Sequence, residues 1–462
     1  MQLDNAAPEL LRLIVVQVGH GGRHDTQFQG LGHRVWKELT LNGAHNKRDL
    51  ANLRLVNRQF CVLATNVLFS HIELSYDVDK SDEANAARLR KLLSLGDGIY
   101  YNSIRHLRVN FDVPANSQQL DKMSDWLAAL IVVLPVFMAK VRRLETLAVR
   151  NVVGYAELAS KPVPEWSVCM AKSRMVSESV IKGLRYVPLP HLKRLSLYMP
   201  ASVELARLVA DGPAQQSMET AMRHLRHLDI GIWDCVEKDT GPWIQPDKVP
   251  LQPPPFFRNK YSALMLGVMS TTPNRHLESL SIDSHSSLVS LDGLGLQNLV
   301  SLRSLHLSRV KVEGLALLRI VAGSRRTLQT VHLDQVLLNE GKWAWVLCEM
   351  ARLGDLCRLR TYYCGYDANG ASNHWCADPR FMRTSCRDIA TASIDDLKFL
   401  GRVQRTVNAN RAVRGLEPVP ETEFYHLFRD EPEPEPKPAP ASPQFDLPDG
   451  FDDGEWDPYW NL

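Results

Sequence analysis

The 462-residue chain has no apolar stretch long enough to cross a bilayer. Its longest run, Leu127 to Ala139, falls short of the roughly 20 residues a span requires, and Pro135 interrupts it. That run, with Trp126 before it, is expected to be a buried helix, and no membrane association is expected. The eight cysteines (Cys61, Cys169, Cys235, Cys348, Cys357, Cys364, Cys376 and Cys386) form no Cys-x-x-Cys pair and follow no secretory leader. Reduced thiols are therefore expected, in a protein of the cytoplasm or nucleus. His374 and Cys376 lie near Cys364 and Cys386, but the spacing fits no common zinc arrangement, so no metal is expected. Gly-x-Ser-x-Gly, Gly-x-x-x-x-Gly-Lys, His-Glu-x-x-His and the dinucleotide fingerprint are also missing, which leaves no catalytic constellation and no cofactor site to name. Nor is there a Lys/Arg block interleaved with aromatics, the pattern that nucleic-acid binding would need.

What the chain does have is a repeat. Leu302-x-x-Leu305-x-Leu307 recurs as Leu328-x-x-Val331-x-Leu333, and between them Leu315, Leu318 and Val321/Ala322 follow helical spacing. One unit is thus a short strand, a turn and a helix. The same signature stands at Ile104-Leu107-Val109, Leu144-Leu147-Val149, Leu192-Leu195-Leu197, Leu225-Leu228-Ile230 and Leu277-Leu280-Ile282, with a degraded last copy at Leu359-Tyr362-Cys364. A unit this small cannot bury its own apolar face and must stack on its neighbours. The offset between copies matches the roughly 20–29 residues of leucine-rich repeats. The expected fold is therefore α/β, an irregular leucine-rich-repeat solenoid with a parallel strand ladder and outer helices. Insertions are expected at about 154–179 and, rich in proline, at about 240–260.

Strand alternation places the side chains around each apolar pair on the opposite, concave face. The expected binding residues there are Arg108, Arg150, Arg194, Tyr198, Asp229, Asp283, His306, His332, Asp334 and Tyr363, with Thr146, Ser196, Ser279, Ser281, Ser304, Ser308 and Thr361 among their neighbours. Arginine early and aspartate late suggest a basic-to-acidic gradient along the ladder, suited to orienting a dipolar protein target.

Charge divides the chain unevenly. Residues 417–462 hold thirteen Asp and Glu against Arg429 and Lys437, a net of −11; with the whole chain at +2, residues 1–416 carry +13. The tail alternates Glu and Pro from Glu431 to Pro436 and is expected to be disordered. Its last residues set Phe445, Phe451, Trp456, Tyr459 and Trp460 among acids, either as a partner motif or as a segment that docks on the basic body. Before it, Leu397, Leu400, Val403 and Val407 mark a capping helix over 394–415.

The N-terminal region reads as helices. Pro8-Glu9 opens Leu10, Leu11, Ile14 and Val18 on one stripe, and a loop follows over about 19–46. After Asp49, a plausible N-cap, come Leu50, Leu53, Val56, Phe60, Leu63 and Val67, with a break expected at Asn57-Arg58-Gln59. Pro8-Glu9-Leu10-Leu11…Ile14 and Asp49-Leu50…Leu53-Arg54-Leu55-Val56-Asn57-Arg58…Phe60…Leu63-Ala64 resemble an F-box. Ala64-Thr65…Leu68-Phe69…Ile72 is similar to the segment that closes it in many fungal F-box proteins. The usual Leu-Pro opening is Ala7-Pro8 here, and the loop after the first helix is longer than the family's short turn.

The resemblance implies a helical module over 1–72, repeats over 73–416 and a tail over 417–462. It also implies that Pro8, Leu10, Leu11, Ile14, Leu50, Leu53, Val56 and Phe60 bind a Skp-type adaptor and, through it, a cullin. The chain would then be a non-catalytic receptor that holds an unidentified protein target for ubiquitin transfer. A repeat scaffold capped by the same helices, with no ubiquitin role, is the alternative reading.

Overall fold

Among the described residues, nine short strands pair side by side, parallel and in the order in which the chain makes them. The computed structural model describes residues 44–77, 79–98, 100–112, 117–152, 179–184, 186–199, 224–232, 276–284, 289–291, 299–367 and 393–419. It also describes Glu9, Leu11, Leu13, Ile14, Val15, Val18, Met175, Ile389 and Thr391. The chain divides into two units, Met1–Val419 and Pro420–Leu462. The second unit lies outside the described residues, as do the proline-rich segment and most of 154–179.

The elements run α1 (Ala44–Leu53), α2 (Arg58–Leu68), β1 (His71–Ser75), α3 (Asp82–Asp97), β2 (His106–Asp112), α4 (Ser117–Lys140) and β3 (Thr146–Val152). Then follow β4 (Arg194–Met199), β5 (His227–Ile232), β6 (Ser279–Ser284), β7 (Val289–Ser290), β8 (Ser304–Ser308) and β9 (Val310–Val312). The last are α5 (Gly314–Gly323), β10 (Thr330–Asp334), β11 (Leu337–Leu338), α6 (Trp343–Met350), β12 (Arg358–Tyr362), β13 (Gly365–Tyr366) and α7 (Ile394–Val413). The main sheet is β1-β2-β3-β4-β5-β6-β8-β10-β12, and a smaller one is β13-β11-β9-β7. The fold is α/β with a parallel sheet.

The apolar pairs of the repeat signature set this register. Leu107 pairs across to Leu147, Leu147 to Leu195, Leu195 to Leu228, Leu228 to Leu280, Leu280 to Leu305 and Leu305 to Val331. All of these are buried, at roughly 1.5–3 kcal/mol for each large side chain removed from water. A slip of one residue would turn every one of them to the other face, so the pattern specifies the pairing strongly.

The backbone adds a repeated fastening at the start of each strand. The carbonyl before β2 (Arg105) accepts the N–H groups of both Glu145 and Thr146. The same double acceptance recurs at Ser70, Glu145, Lys193, Arg226, Glu278, Arg303 and Gln329, all at 2.7–3.1 Å. Every junction of the nine-stranded sheet is thus stapled at its N-terminal lip. At the other end Arg309, Gln335 and Tyr363 hold positive φ (53°, 53° and 48°) directly after β8, β10 and β12. There the Arg309 N–H donates to Asp334 O and the Gln335 N–H to Tyr362 O, both at 2.7 Å.

Two strand expectations change. β1 is a strand that the repeat signature does not include: Ile72 and Leu74 alternate with His71, Glu73 and Ser75, and His71 pairs with His106. The last repeat is Leu356-Leu359-Thr361 rather than Leu359-Tyr362-Cys364, because Leu359 pairs with Val331 and Thr361 with Leu333. Thr361, buried at 5%, occupies an apolar position, which hides the motif from a search for leucine.

Helix α4 also departs from expectation. It starts ten residues before the apolar run, at Ser117, and continues through Pro135. Over Met123–Lys140 its length and composition would suit a membrane span, and 39% of that window is buried inside the fold. Trp126, Leu127, Leu130, Leu134 and Phe137 are buried while Val132 and Val136 are exposed. Its covered side meets α3, Tyr76 lies against Trp126, and Ser179 donates to the Leu130 carbonyl at 3.0 Å. In α7, Leu397, Leu400, Val403 and Val407 are buried on one stripe, and the helix packs on α6.

Asp396 ties α7 to α6. It accepts from the Ala344 N–H at 2.7 Å, from the Tyr366 hydroxyl at 2.7 Å and from Thr391 Oγ1; Tyr366 Oη in turn accepts the Trp343 N–H at 3.0 Å. Burial raises the Asp396 carboxyl above its ordinary pKa despite these donors. Tyr366→Phe removes one partner from a buried carboxylate and one from a helix-start N–H, and is expected to lower the stability of the chain by about 1–3 kcal/mol in urea titration. Gly314, at the start of α5, donates its N–H to Glu340 O at 2.8 Å, and a Cβ there would stand 2.7 Å from the same oxygen. Gly314→Ala is therefore expected to lower the urea midpoint, by about 1–3 kcal/mol in stability, because backbone rather than a pliable side chain must give way.

Candidate protein-interaction face

The register turns the face opposite the apolar pairs into three rows of side chains that cross the strands. The first holds His71, His106, Thr146, Arg194, His227, Ser279, Ser304, Thr330 and Arg358. The second holds Glu73, Arg108, Ala148, Ser196, Asp229, Ser281, His306, His332 and Arg360. The third holds Asn110, Arg150, Tyr198, Gly231, Asp283, Ser308, Asp334 and Tyr362. Of the expected binding residues, Arg108, Arg150, Arg194, Tyr198, Asp229, Asp283, His306, His332 and Asp334 all fall in these rows. The side chains of Arg150 and Tyr198 lie outside the described residues.

Tyr363 does not belong to the face. It follows β12 at positive φ, and Tyr362 takes the row position, with the two rings edge to face at 4.3 Å. The small residues Thr146, Ser196, Ser279, Ser281, Ser304 and Ser308 are buried among larger neighbours, so they form a floor and not a set of outward contacts. Thr361 points to the apolar side.

The corrected register also changes the charge pattern. β12 brings Arg358 and Arg360 beside His332 and Asp334, so the late end is not simply acidic. The aspartates stand inside basic ends: Arg108 and Arg194 on one side, Arg358 and Arg360 on the other. Sequence reading missed these two arginines and Glu73 because the last motif was placed three residues late and β1 was taken as part of the helical region.

Local pairings order several of these groups. Arg108 Nε donates to Asn110 Oδ1 at 2.8 Å, Asn110 donates to Glu73, and Ser196 Oγ donates to Asp229 Oδ2 at 2.9 Å. The His71 and His106 rings stack at 4.2 Å, and His306 meets His332 at 5.7 Å. Among the described residues, His106 Nδ1, His227 Nδ1, His306 Nδ1 and Asp334 Oδ1 are buried with no hydrogen-bond partner. Unpaired groups of this kind cost about 1–3 kcal/mol each. Burial raises the Asp334 carboxyl, opposed by Arg309 and Arg360. No group of three or more His, Cys, Asp or Glu among the described residues could hold a metal ion.

The helical region ahead of β1 has its own core. Leu11, Val15, Leu50, Phe60 and Ala64 are buried together, with Val18, Leu53, Leu63, Val67 and Leu68 against them. Leu11, Leu50 and Phe60, expected on a docking surface, are therefore interior. Pro8 and Leu10 lie outside the described residues. Val56 (56% exposed) and Ile14 (40%) stay open, as do Leu55 (85%) and Leu13 (64%), which helical-stripe reasoning passed over. Asp49 is not an N-cap, since α1 begins at Ala44; Asn57 is, accepting the Phe60 N–H at 2.9 Å and starting α2 where the break was expected.

His106, His227 and His332 are held down to a pKa of about 4, first by burial and then by neighbouring basic groups: Arg194 beside His106 and His227, and His306 followed by Arg360 beside His332. An unfolded imidazole titrates near 6.5, so between these values the unfolded chain binds protons that the folded one does not. Their contribution is present above pH 6.5 and is lost as pH falls toward 4, by up to roughly 3 kcal/mol per ring. Urea unfolding from pH 7 to 4.5 is expected to show this loss, and a His106→Asn, His332→Asn double variant a flatter profile.

Compared with known proteins, the chain matches no protein-family model and no curated protein, so residues and their placement carry the functional argument.

Proposed function

We propose that this chain is the substrate-recognition subunit of an SCF-type cullin ubiquitin ligase. In this reading the helices ahead of β1 form an F-box that binds a Skp-type adaptor. The strand ladder is an irregular leucine-rich-repeat solenoid, and its three-row face holds a protein target. The subunit performs no chemistry of its own; it acts in the cytoplasm or nucleus by keeping a target lysine near the ubiquitin-charged enzyme, a proximity effect.

The observation that carries this reading is the division of apolar residues in the helical region. Its interior is already filled by Leu11, Val15, Leu50, Phe60 and Ala64, yet Leu13, Ile14, Leu55 and Val56 remain in water. A module that served only to cover the first strand would have no need of these four. They also fall within the two segments that resemble an F-box.

The second reading, a repeat scaffold with no ubiquitin role, draws on the contacts between helices and ladder. Phe69 stacks on Tyr100 at 4.2 Å, and Ser103 donates to Asn66 at 2.6 Å. These are what a cap would make.

A Leu55→Asp, Val56→Asp variant separates the two readings, because both side chains are exposed and their loss leaves the helical core intact. The tagged parent chain is expected to co-purify with its host's Skp-type adaptor, and the variant to lose about tenfold or more in affinity while unfolding at an unchanged urea concentration. If the parent captures no adaptor, the ubiquitin role is wrong and the scaffold reading stands.

A further inference from the structure

The N-terminal lip of the ladder, where the strands begin, is a different surface from the three-row face in its charge and in its rigidity. Arg105, Lys193 and Arg226 occupy the stapled positions ahead of β2, β4 and β5, and their carbonyls are the double acceptors described above. Neighbouring strands lie about 4.8 Å apart, so these cations are displayed at a fixed short spacing on backbone that cannot readily shift. Arg143 stands exposed in the turn before β3.

Two carboxylates stand among them on the same lip. Glu145 bridges Arg105 at 3.6 Å and Lys193 at 2.8 Å, and Glu278 pairs with Arg226 at 3.3 Å. Four cations, Arg105, Arg143, Lys193 and Arg226, against these two acids leave an excess of positive charge. Its field reaches the adjoining face: added to the larger effect of burial, Arg105 and Lys193 lower the pKa of His106 and Arg226 lowers that of His227, while Arg143 acts on Arg105. Exposed imidazoles at the matching turn positions, His191, His224 and His276, add further hydrogen-bonding groups.

We propose that this lip, over β2–β6, docks an acidic, extended polypeptide segment of the target. It rests on the target-binding role of the ladder proposed above and assigns the chemistry of the partner. Carboxylates on a peptide can alternate with neutral residues and so avoid Glu145 and Glu278, whereas a continuous polyphosphate backbone would run against both. At the stapled and turn positions of the lip, residues 104–105, 142–145, 191–193, 224–226 and 276–278, there is no Phe, Tyr or Trp on which a base could stack, which also disfavours nucleic acid. Electrostatic complementarity of this kind governs association rate and selectivity, and it weakens with salt.

The test uses the full-length chain and a fluorescent peptide with a run of Glu and Asp, read by anisotropy. A peptide with Gln and Asn in their place and an oligothymidylate of equal charge serve as comparisons. The acidic peptide is expected to bind more tightly than both, with affinity falling as salt rises. An Arg143→Glu, Lys193→Glu variant is expected to weaken it by about tenfold or more, while Arg90→Glu, Lys91→Glu, on exposed positions of α3, leaves it unchanged. Equal binding of acidic and neutral peptides, equal loss in both variants, or tighter binding of the oligonucleotide would each overturn the proposal. Adaptor capture is scored on the same preparation. Peptide binding without adaptor would sink the ligase reading and leave the lip as an acidic-peptide site, and adaptor capture without peptide binding would do the reverse.

Discussion

The structure depends on parallel, in-register pairing of strands too short to stand alone. Each strand has only a few apolar side chains to bury, and they line up in register with those of the next strand. The double acceptance at each lip carbonyl complements this burial, since it satisfies the first N–H groups of every strand where the ladder bonds have not yet begun. Burial chooses the face and the staple chooses the axial position. Together they leave no freedom for a strand to slide.

That constraint is what converts a loosely spaced sequence into ordered surfaces. The intervals between ladder strands are unequal, with long stretches after β3 and β5 and short ones after β8 and β10. Registration does not depend on those intervals, so residues far apart in the chain come to share a row: Asp229 lies beside Ser196 and Ser281, and His306 beside His332. The same logic makes the lip and the face distinct. One presents groups fixed by stapled backbone, the other groups ordered by side-chain pairing such as Arg108 with Asn110.

Much of the ladder was legible because apolar alternation is a direct physical requirement. Strands β2, β3, β4, β5, β6, β8 and β10 fall where Leu-x-x-Leu-x-Leu places them, and α7 falls where Leu397, Leu400, Val403 and Val407 place it. What escaped was whatever tertiary context supplies. Thr361 fills a leucine position because its register is already set by Leu356 and Leu359, and β1 is recruited by β2 although its flanks look helical. In the helical region the stripe Leu50, Phe60 was correctly apolar but said nothing about which side faces other helices. Only packing separates it from the exposed Leu55 and Val56. Burial of small polar residues such as Ser196 and Ser281 likewise follows from the size of their neighbours and not from their own chemistry.

The register of β12 is where pattern and packing disagree, so it is the sharpest place to test the account. Thr361→Asp and Tyr362→Asp are adjacent single substitutions whose urea unfolding can be compared directly. The in-register ladder predicts that Thr361→Asp, which puts a charge among the apolar side chains, destabilises by several kcal/mol, about 3 or more, while Tyr362→Asp on the open face costs about 1. The reverse order would mean that Tyr362 and not Thr361 faces the core. The placement of Arg358 and Arg360 on the interaction face would then be wrong.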